Sequence, residues 1–399
     1  MTEAARQPAS PPVSGERRPR SNPAAGLGGP SRSRVLDGRT PPSNQILRHL
    51  ARSPWCRWEV PVFGLLAAAP WGLADAFNGI GGPLTSVLIL CIAALGLNVV
   101  IGFTGLLHLG MAAFMGVGGL LLAILTVPTN PLEIGFLPAV CVGVCGAAAA
   151  GGLLAAATLR LRADSLAVVT LGFGEVVRVL LGNLEQITGG MQGLGPVPPP
   201  GAGLSLAGTD LGRAFVIDPR WFYLLALALL IGVIAVLRRL EQSAVGRAWI
   251  AFREDPVAAA TIGISATRVR LAAFTVAAAI TGLAGCLAAA NLGTTGDPHS
   301  YGFGRSVALL CAVMLGGPGS LPGTLLGVAI LFGLDIVVIP AIDAWSQQLT
   351  AAESAAGPLT LGSWRLALVG MALIVMMRFR PQGLLPSRRS AADLREKHR

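Results

Sequence analysis

Apolar residues run along this chain in long, nearly charge-free blocks, with neither the two-residue alternation of a half-buried strand nor the polar face of an amphipathic helix. A helix crossing a bilayer needs about 20 mostly apolar residues. Ten segments meet or approach that length: 60–76, 80–101, 104–125, 135–158, 165–182, 220–237, 269–292, 304–317, 322–341 and 362–378. Segments 165–182 and 304–317 are short. The second stops at Gly316-Gly317-Pro318, so one of the two is a candidate for a broken or re-entrant helix beside a cavity. The pattern predicts an all-α, polytopic membrane protein of about ten transmembrane helices.

Positive charge then orients the spans, because cytoplasmic loops carry the excess of arginine and lysine. With the N-terminus inside, segments 1–59, 159–164, 238–270 and 378–399 hold 10, 2, 6 and 7 basic residues, which is 25 of the chain's 30. Arg213 falls in an external loop, Arg220, Arg305 and Arg365 fall at helix ends, and Arg178 lies within a span. An even number of spans with both termini cytoplasmic satisfies this distribution. Three regions follow: a basic cytoplasmic tail over 1–58, a transmembrane domain over 59–385 with an internal cytoplasmic loop at 238–270, and a second basic tail over 386–399. The first tail is rich in Pro, Ser, Gly and Arg and is expected to stay disordered, since it has too little apolar surface to offset the entropy of ordering.

Composition agrees with this solvent. Only 13% of residues are charged and 53% are hydrophobic, whereas soluble domains carry about 25% charged residues. The formal net charge of +10 does not point to nucleic acid. It sits in the tails, without the interleaved aromatic residues of a nucleic-acid groove, and suits a face beside anionic lipid.

Catalytic chemistry is thin. The sequence has one lysine, Lys397, and no Gly-rich loop precedes it, so the phosphate-cradling P-loop is absent and ATP hydrolysis by that route requires another polypeptide. His49 and His398 lie in the tails, while His108 and His299 have no Cys, Asp or Glu at metal-ligand spacing. The six cysteines form no CxxC pair, and Cys141 and Cys145, four apart, read as small packing residues. No metal site and no resident cofactor are expected in this chain.

The loop 238–270 is too regular for a floppy linker. Asp255 suits a helix N-cap, Pro256 the first helical position, residues 257–262 about two turns, and Gly263 a left-handed stop. Arg253 and Glu254 precede this short helix, and Arg268 and Arg270 follow it. Within the spans, Glu175 and Arg178 are three apart and share a helix face. They read either as a cavity pair that steers a zwitterionic solute or as a structural pair that locks helices together. Asn98 reads as interhelical glue or as a channel-lining amide. His108 faces the pathway or is a satisfied interfacial histidine. Gly319, Gly323 and Gly327 recur every four residues and are expected to give a smooth packing face to the helix that begins near Pro322. The external loop 183–219, with Thr188-Gly189-Gly190 and Pro196–Pro200, is either a receiving surface or an inert connector.

Several of these stretches resemble one family. Gly246-Arg247-Ala248, Arg253-Glu254-Asp255, Ala258-Ala259, Ile262-Gly263 and Leu271-Ala272-Ala273-Phe274 look like the coupling region of branched-chain amino acid ABC importer permeases of the LivM type. The resemblance extends to Ala94–Asn98 with Gly102–Leu107, to Leu161–Asp164 with Val169–Glu175, which includes Thr170, and to Leu315–Gly323 with Arg378–Leu385. It covers about residues 80–385 in the family's order.

The resemblance implies a multi-pass permease of a bacterial plasma (inner) membrane. Its implied partners are a second related permease, two cytoplasmic ATPase subunits that bring ATP and magnesium, and an extracytoplasmic solute-binding protein. Gly246, Arg247, Arg253, Glu254, Asp255, Pro256, Ala258, Ala259 and Gly263 would then form the ATPase-coupling surface, and Asn98, His108, Thr170, Glu175 and Arg178 are the candidates for the substrate pathway. The chain departs from the family at Gly105–Met111, where relatives usually have Ser and His in the places of His108 and Met111. The competing class is an ion-coupled secondary transporter that relays protons or an ion through Glu175, Arg178 and Asp335.

Overall fold

The computed structural model describes residues 74–127, 134–159, 161, 163–201, 205–206, 209–210, 218–342, 370–371, 374, 378 and 383–385, all within the unit Pro61–Arg399. The two tails lie outside the described residues. So do the predicted spans 60–76 and 362–378, apart from the last three positions of the first and isolated positions of the second.

Among the described residues the fold is helical, with one small antiparallel pair, β1 (Ser205–Leu206) and β2 (Thr209–Asp210). Helix α1 (Ala74–Asn98) continues into a π-helical turn over Val99–Thr104. Then come α2 (Met111–Thr126), α3 (Phe136–Thr158), α4 (Ala163–Asn183) and the short α5 (Glu185–Thr188). The second half holds α6 (Pro219–Gln242), α7 (Ala244–Glu254), α8 (Pro256–Thr261) and α9 (Ala266–Leu292), followed by α10 (Phe303–Gly316) and α11 (Leu321–Gly333). A second π turn, Leu334–Val338, extends α11.

Six described stretches are long and apolar enough to cross a membrane: Gly81–Thr104, Phe136–Thr158, Ser165–Asn183, Pro219–Gln242, Ala266–Leu292 and Leu321–Ile342. The segment predicted at 165–182 is thus a full-length helix. Two other segments are corrected. The span expected at 104–125 does not start at 104, because Gly105 at φ +72° ends the π turn and residues 105–110 leave the helix. The segment at 304–317 is an unbroken helix of 14 residues, bounded by a 3₁₀ turn at Pro298–Tyr301 on one side and by Gly317 and Gly319, both at positive φ, on the other.

Helix α9 is the axle of the bundle, with α1, α2 and α3 packed around it. Small residues make this possible, because lipid supplies no hydrophobic drive for helix association and close backbone approach must gain dispersion instead. Gly118 of α2 faces the backbone of Gly282, Gly285 faces the backbone of Met115, Gly96 of α1 meets Thr281, and Gly151 of α3 meets Ala278 and the Phe274 carbonyl. Gly323 and Gly327 do the same job between α11 and α10, against Gly316 and Ala312. Gly319 belongs to a different place. It precedes α11, at φ +84°, in the turn that joins the two helices.

This packing predicts opposite outcomes for one substitution. A Cβ at Gly118 would lie 2.8 Å from the Gly282 Cα, whereas one at Gly172 or Gly232 meets nothing within 4 Å. Gly118→Ala should therefore cost about 1–3 kcal/mol or more and lower the Tm of the purified protein. Gly232→Ala should leave the Tm unchanged or raise it slightly, as removal of a mid-helix glycine does.

Candidate functional site

The connection from α6 to α9 is helical because its own side chains cap each turn. Ser243 ends α6 by donating to the Leu240 carbonyl (2.6 Å) and starts α7 by accepting from the Gly246 N–H (3.3 Å). The Asp255 carboxylate accepts from the N–H groups of Val257 (2.8 Å) and Ala258 (3.1 Å). Pro256 occupies the first turn, where no donor is needed, and Gly263 leaves α8 at φ +88°. Such a cap contributes about 0.5–2 kcal/mol, enough to hold a helix of six residues that would melt by itself.

The two helices present different faces. Gly246, Trp249 and Phe252 form the buried stripe of α7, with Trp249 fully buried and stacked on Phe103 of the first π turn, ring centroids 6.4 Å apart. Helix α8 buries only Ala259, and leaves Val257 75% and Ile262 73% exposed. Arg247, Arg253, Glu254, Asp255, Pro256, Ala258 and Gly263 are exposed as well. The segment is thus held from beneath by α7 and offers an apolar, charge-rimmed ledge from α8.

Arginines at both ends of this segment reach back to main-chain carbonyls. Arg270, near the start of α9, donates from Nη1 to the carbonyls of Leu159 (3.2 Å) and Leu161 (3.0 Å), just past the end of α3, and its guanidinium lies 6.0 Å from the Phe252 ring centroid. Arg253 is the last basic residue of α7, and its Nη1 donates to the Gly102 carbonyl in the first π turn. Cations suit such helix C-termini, where unpaired carbonyls concentrate partial negative charge. Next to Gly102, Asn98 is fully buried and its Oδ1 accepts from the Gly319 N–H (2.8 Å), while its Nδ2 has no hydrogen-bond partner among the described residues. The chain after Gly383 joins this end of the bundle, with Leu384 and Leu385 donating to the carbonyls of Leu315 (2.9 Å) and Gly316 (3.0 Å).

Deeper in the bundle, side chains accept from backbone N–H groups in and just after the non-helical stretch 105–110. The Leu109 N–H donates to Thr170 Oγ1 of α4 (3.1 Å), and the Ala112 N–H donates to Ser306 Oγ of α10 (3.0 Å). The Gly110 N–H donates to Nδ1 of His108 (3.2 Å), which leaves the ring proton on Nε2. His108 is fully buried against Phe274 and Phe114, and its Nε2 has no hydrogen-bond partner among the described residues. A closed backbone position explains the glycine at 110, since a Cβ there would strike the Thr170 carbonyl.

At the opposite end of α4, Arg178 Nε lies 2.6 Å from Glu175 Oε2. The other carboxylate oxygen, Oε1, accepts from the Phe303 N–H (3.1 Å), and Arg178 Nη1 lies 3.4 Å from His299 Nδ1. Glu175 therefore stands at the N-terminus of α10, where a carboxylate meets unpaired N–H groups and the positive end of the helix dipole. Both side chains are partly exposed, which limits the ion pair itself to about 0–1 kcal/mol. The loop after α5 closes over the same end: Leu194 and Val197 exchange backbone hydrogen bonds with Thr295 (3.0 Å) and Gly293 (2.8 Å).

The candidate pathway residues thus fall in three places. Asn98 sits at the α1 and α10–α11 junction, His108 and Thr170 sit at the 105–110 break, and Glu175 with Arg178 sits at the start of α10. Asp335 lies in the π turn after α11, an element that packs on α1 and α11.

The family described as branched-chain amino acid transport system / permease component matches residues 79–377, a range that contains all three places and the α7–α8 segment. The chain belongs to this family. Among curated relatives, the high-affinity branched-chain amino acid transport system permease proteins LivM of Salmonella typhimurium and Escherichia coli are each 38% identical over 329 residues, covering 78% of this chain and 71% of theirs. The autoinducer 2 import system permease protein LsrC of Klebsiella pneumoniae is 29% identical over 127 residues, 31% of this chain and 37% of its own. No solved structure matches.

Several residues that build this permease escaped the sequence reading. Trp249 and Phe252 were legible as a stripe three apart, and with Gly246 they announce α7. Ser306 and Phe103 carried no such signal, because their partners lie 194 and 146 positions away in the chain. The Thr170 contact yields a direct test. Thr170→Val leaves the buried Leu109 N–H without an acceptor and should cost about 1–3 kcal/mol, whereas Thr170→Ser should cost less than half as much. Thermal unfolding of the detergent-purified permease compares the two.

Proposed function

We propose that this permease forms half of the substrate channel of an ATP-driven importer in a bacterial inner membrane, and that it carries branched-chain amino acids or a related small polar solute. It pairs with a second, related permease. Two ATPase subunits power the assembly, one of them docked at this chain's α7–α8, and an extracytoplasmic binding protein delivers solute at the opposite end, where the loop between α4 and α6 packs on Gly293–Thr295. Solute class is supported by the printed names of the two 38%-identical relatives.

The observation that carries the mechanism is the ledge of α8. Two apolar side chains, Val257 and Ile262, stand almost fully out of the protein on a helix that Asp255 and Gly263 hold in shape. Its foundation, α7, is buried against the end of α1 through Trp249 and Phe103. A force applied to the ledge therefore reaches a membrane helix through rigid contacts. ATPase closure moves α7–α8, the ends of α6 and α9 follow, and the cavity switches between its two openings. The energy source sits on another polypeptide, and the permease converts its motion into alternating access. The ion-coupled alternative draws no support from the Glu175–Arg178 pair, whose second carboxylate oxygen is already occupied by the α10 backbone.

The test is uptake into proteoliposomes with and without the ATPase partners. Uptake should require them and should survive dissipation of the proton gradient; the reverse result overturns the importer reading. Glu254→Lys reverses charge beside the ledge, and Gly263→Pro forces a φ near −65° on a residue at +88°. Each should leave the chain inserted but reduce transport about tenfold or more, which corresponds to roughly 1.4 kcal/mol or more of lost coupling. Normal substrate-stimulated ATP hydrolysis in both variants would count against docking at α8.

A further inference from the structure

Arg253 belongs by sequence to the segment assigned to the ATPase and is exposed like its neighbours, yet its guanidinium also bonds within this chain. The side chain donates from Nη1 to the Gly102 carbonyl. Three glycines form its cradle. A Cβ on Gly105 would lie 3.0 Å from Arg253 Cγ, and one on Gly319 would lie 3.1 Å from Arg253 Nη1. A Cβ on Gly102 would run into Asn98 Oδ1 and the Gly319 backbone, so the turn between α10 and α11 approaches the first π turn at main-chain distance. Gly105 at φ +72° and Gly319 at φ +84° are also in the left-handed region, where a side chain is strained. The cradle therefore requires glycine on both steric and conformational grounds.

The same point joins three separate elements. Arg253 is the last basic residue of α7, Gly102 lies in the π turn after α1, and Gly319 lies between α10 and α11, fastened to α1 by the 2.8 Å bond from its N–H to Asn98 Oδ1. A π turn is wound less tightly than an α-helix and commonly marks a functional site. Its final carbonyls lack helical partners and favour a cation. A guanidinium fills this position as a fixed, permanently charged fork, which a flexible ammonium reproduces only in part.

We propose that Arg253 is the internal transmission latch of the permease, a positioning residue that hands the movement of α7–α8 to the π turn of α1 and the α10–α11 turn. With the latch engaged, these two segments are held together against Asn98. When the motor displaces α7, the guanidinium leaves the Gly102 carbonyl and the two segments separate, which opens this end of the bundle. Another contact of α7, Trp249 on Phe103, is apolar and non-directional and serves as the pivot.

This inference rests on the importer reading, and the experiment keeps the two apart. The full transporter is reconstituted in proteoliposomes with its ATPase and binding-protein partners, and solute uptake and ATP hydrolysis are measured on the same vesicles for wild type, Arg253→Gln and Arg253→Lys. The quantity read is solute moved per ATP hydrolysed. Loss of a charge-assisted hydrogen bond that operates in one state alone should lower that ratio about tenfold or more in Arg253→Gln, with Arg253→Lys between it and wild type. A ratio unchanged from wild type in both variants overturns the latch. Loss of hydrolysis in step with uptake also overturns it, since that result puts Arg253 in contact with the motor. Gly319→Ala, which crowds the Arg253 guanidinium from the α10–α11 turn, should lower the ratio in the same direction, and an unchanged ratio there counts against the cradle. A wild-type complex that moves solute without its ATPase defeats the importer reading instead and leaves no latch to explain.

Discussion

Backbone that is neither helical nor hydrated must find its hydrogen bonds inside the protein, and in a membrane bundle that demand is severe. This permease contains two such breaks among its described residues, at 105–110 and at 317–320. The junction beneath α7 grows from how they are satisfied. Thr170 supplies an acceptor to the first break, Ser306 one to the start of α2 just after it, and Asn98 one to the second. The unpaired carbonyl at Gly102, between the two, draws in Arg253. The donors and acceptors come from α1, α4, α7 and α10, so the breaks bind together elements that are far apart in the sequence.

The consequence for function is mechanical. A continuous helix transmits displacement along its own axis, while a break satisfied from outside transmits it sideways to whichever element supplies the hydrogen bond. Helix α9, packed through Gly282 and Gly285 at backbone distance, is poorly suited to bend. The junction at Gly102, Gly105 and Gly319 is the place with few methyl groups to interlock and with directional bonds that either exist or do not. Bistable contacts of this kind turn a small shift into a switch between two arrangements.

Much of the fold was readable in the sequence because lipid removes alternatives. Long apolar runs have to be helices, and Asp255, Pro256 and Gly263 announced α8 through local chemistry alone. Where the reading went astray, the missing information was tertiary. Residues 104–110 looked like the start of a span because Leu106, Leu107 and Leu109 are apolar, and nothing nearby reveals that Thr170 waits 61 positions on to accept from Leu109. Gly319 seemed to continue the spacing of Gly323 and Gly327, yet its left-handed conformation and its bond to Asn98 place it in the turn before the helix. The five polar residues grouped as pathway candidates share neither location nor burial. Glu175 meets a helix N-terminus, Thr170 holds a break, and His108 is enclosed by two phenylalanines.

The central claim is that the ledge at α8 faces the compartment of the ATPase. Placement of an engineered thiol decides it most directly. In a variant whose native cysteines are replaced, Ile262→Cys is exposed to a membrane-impermeant maleimide in inside-out and right-side-out vesicles. Labelling confined to the inside-out vesicles is the predicted result. Labelling confined to the right-side-out vesicles would put the ledge on the far side of the membrane from any cytoplasmic motor and contradict the account.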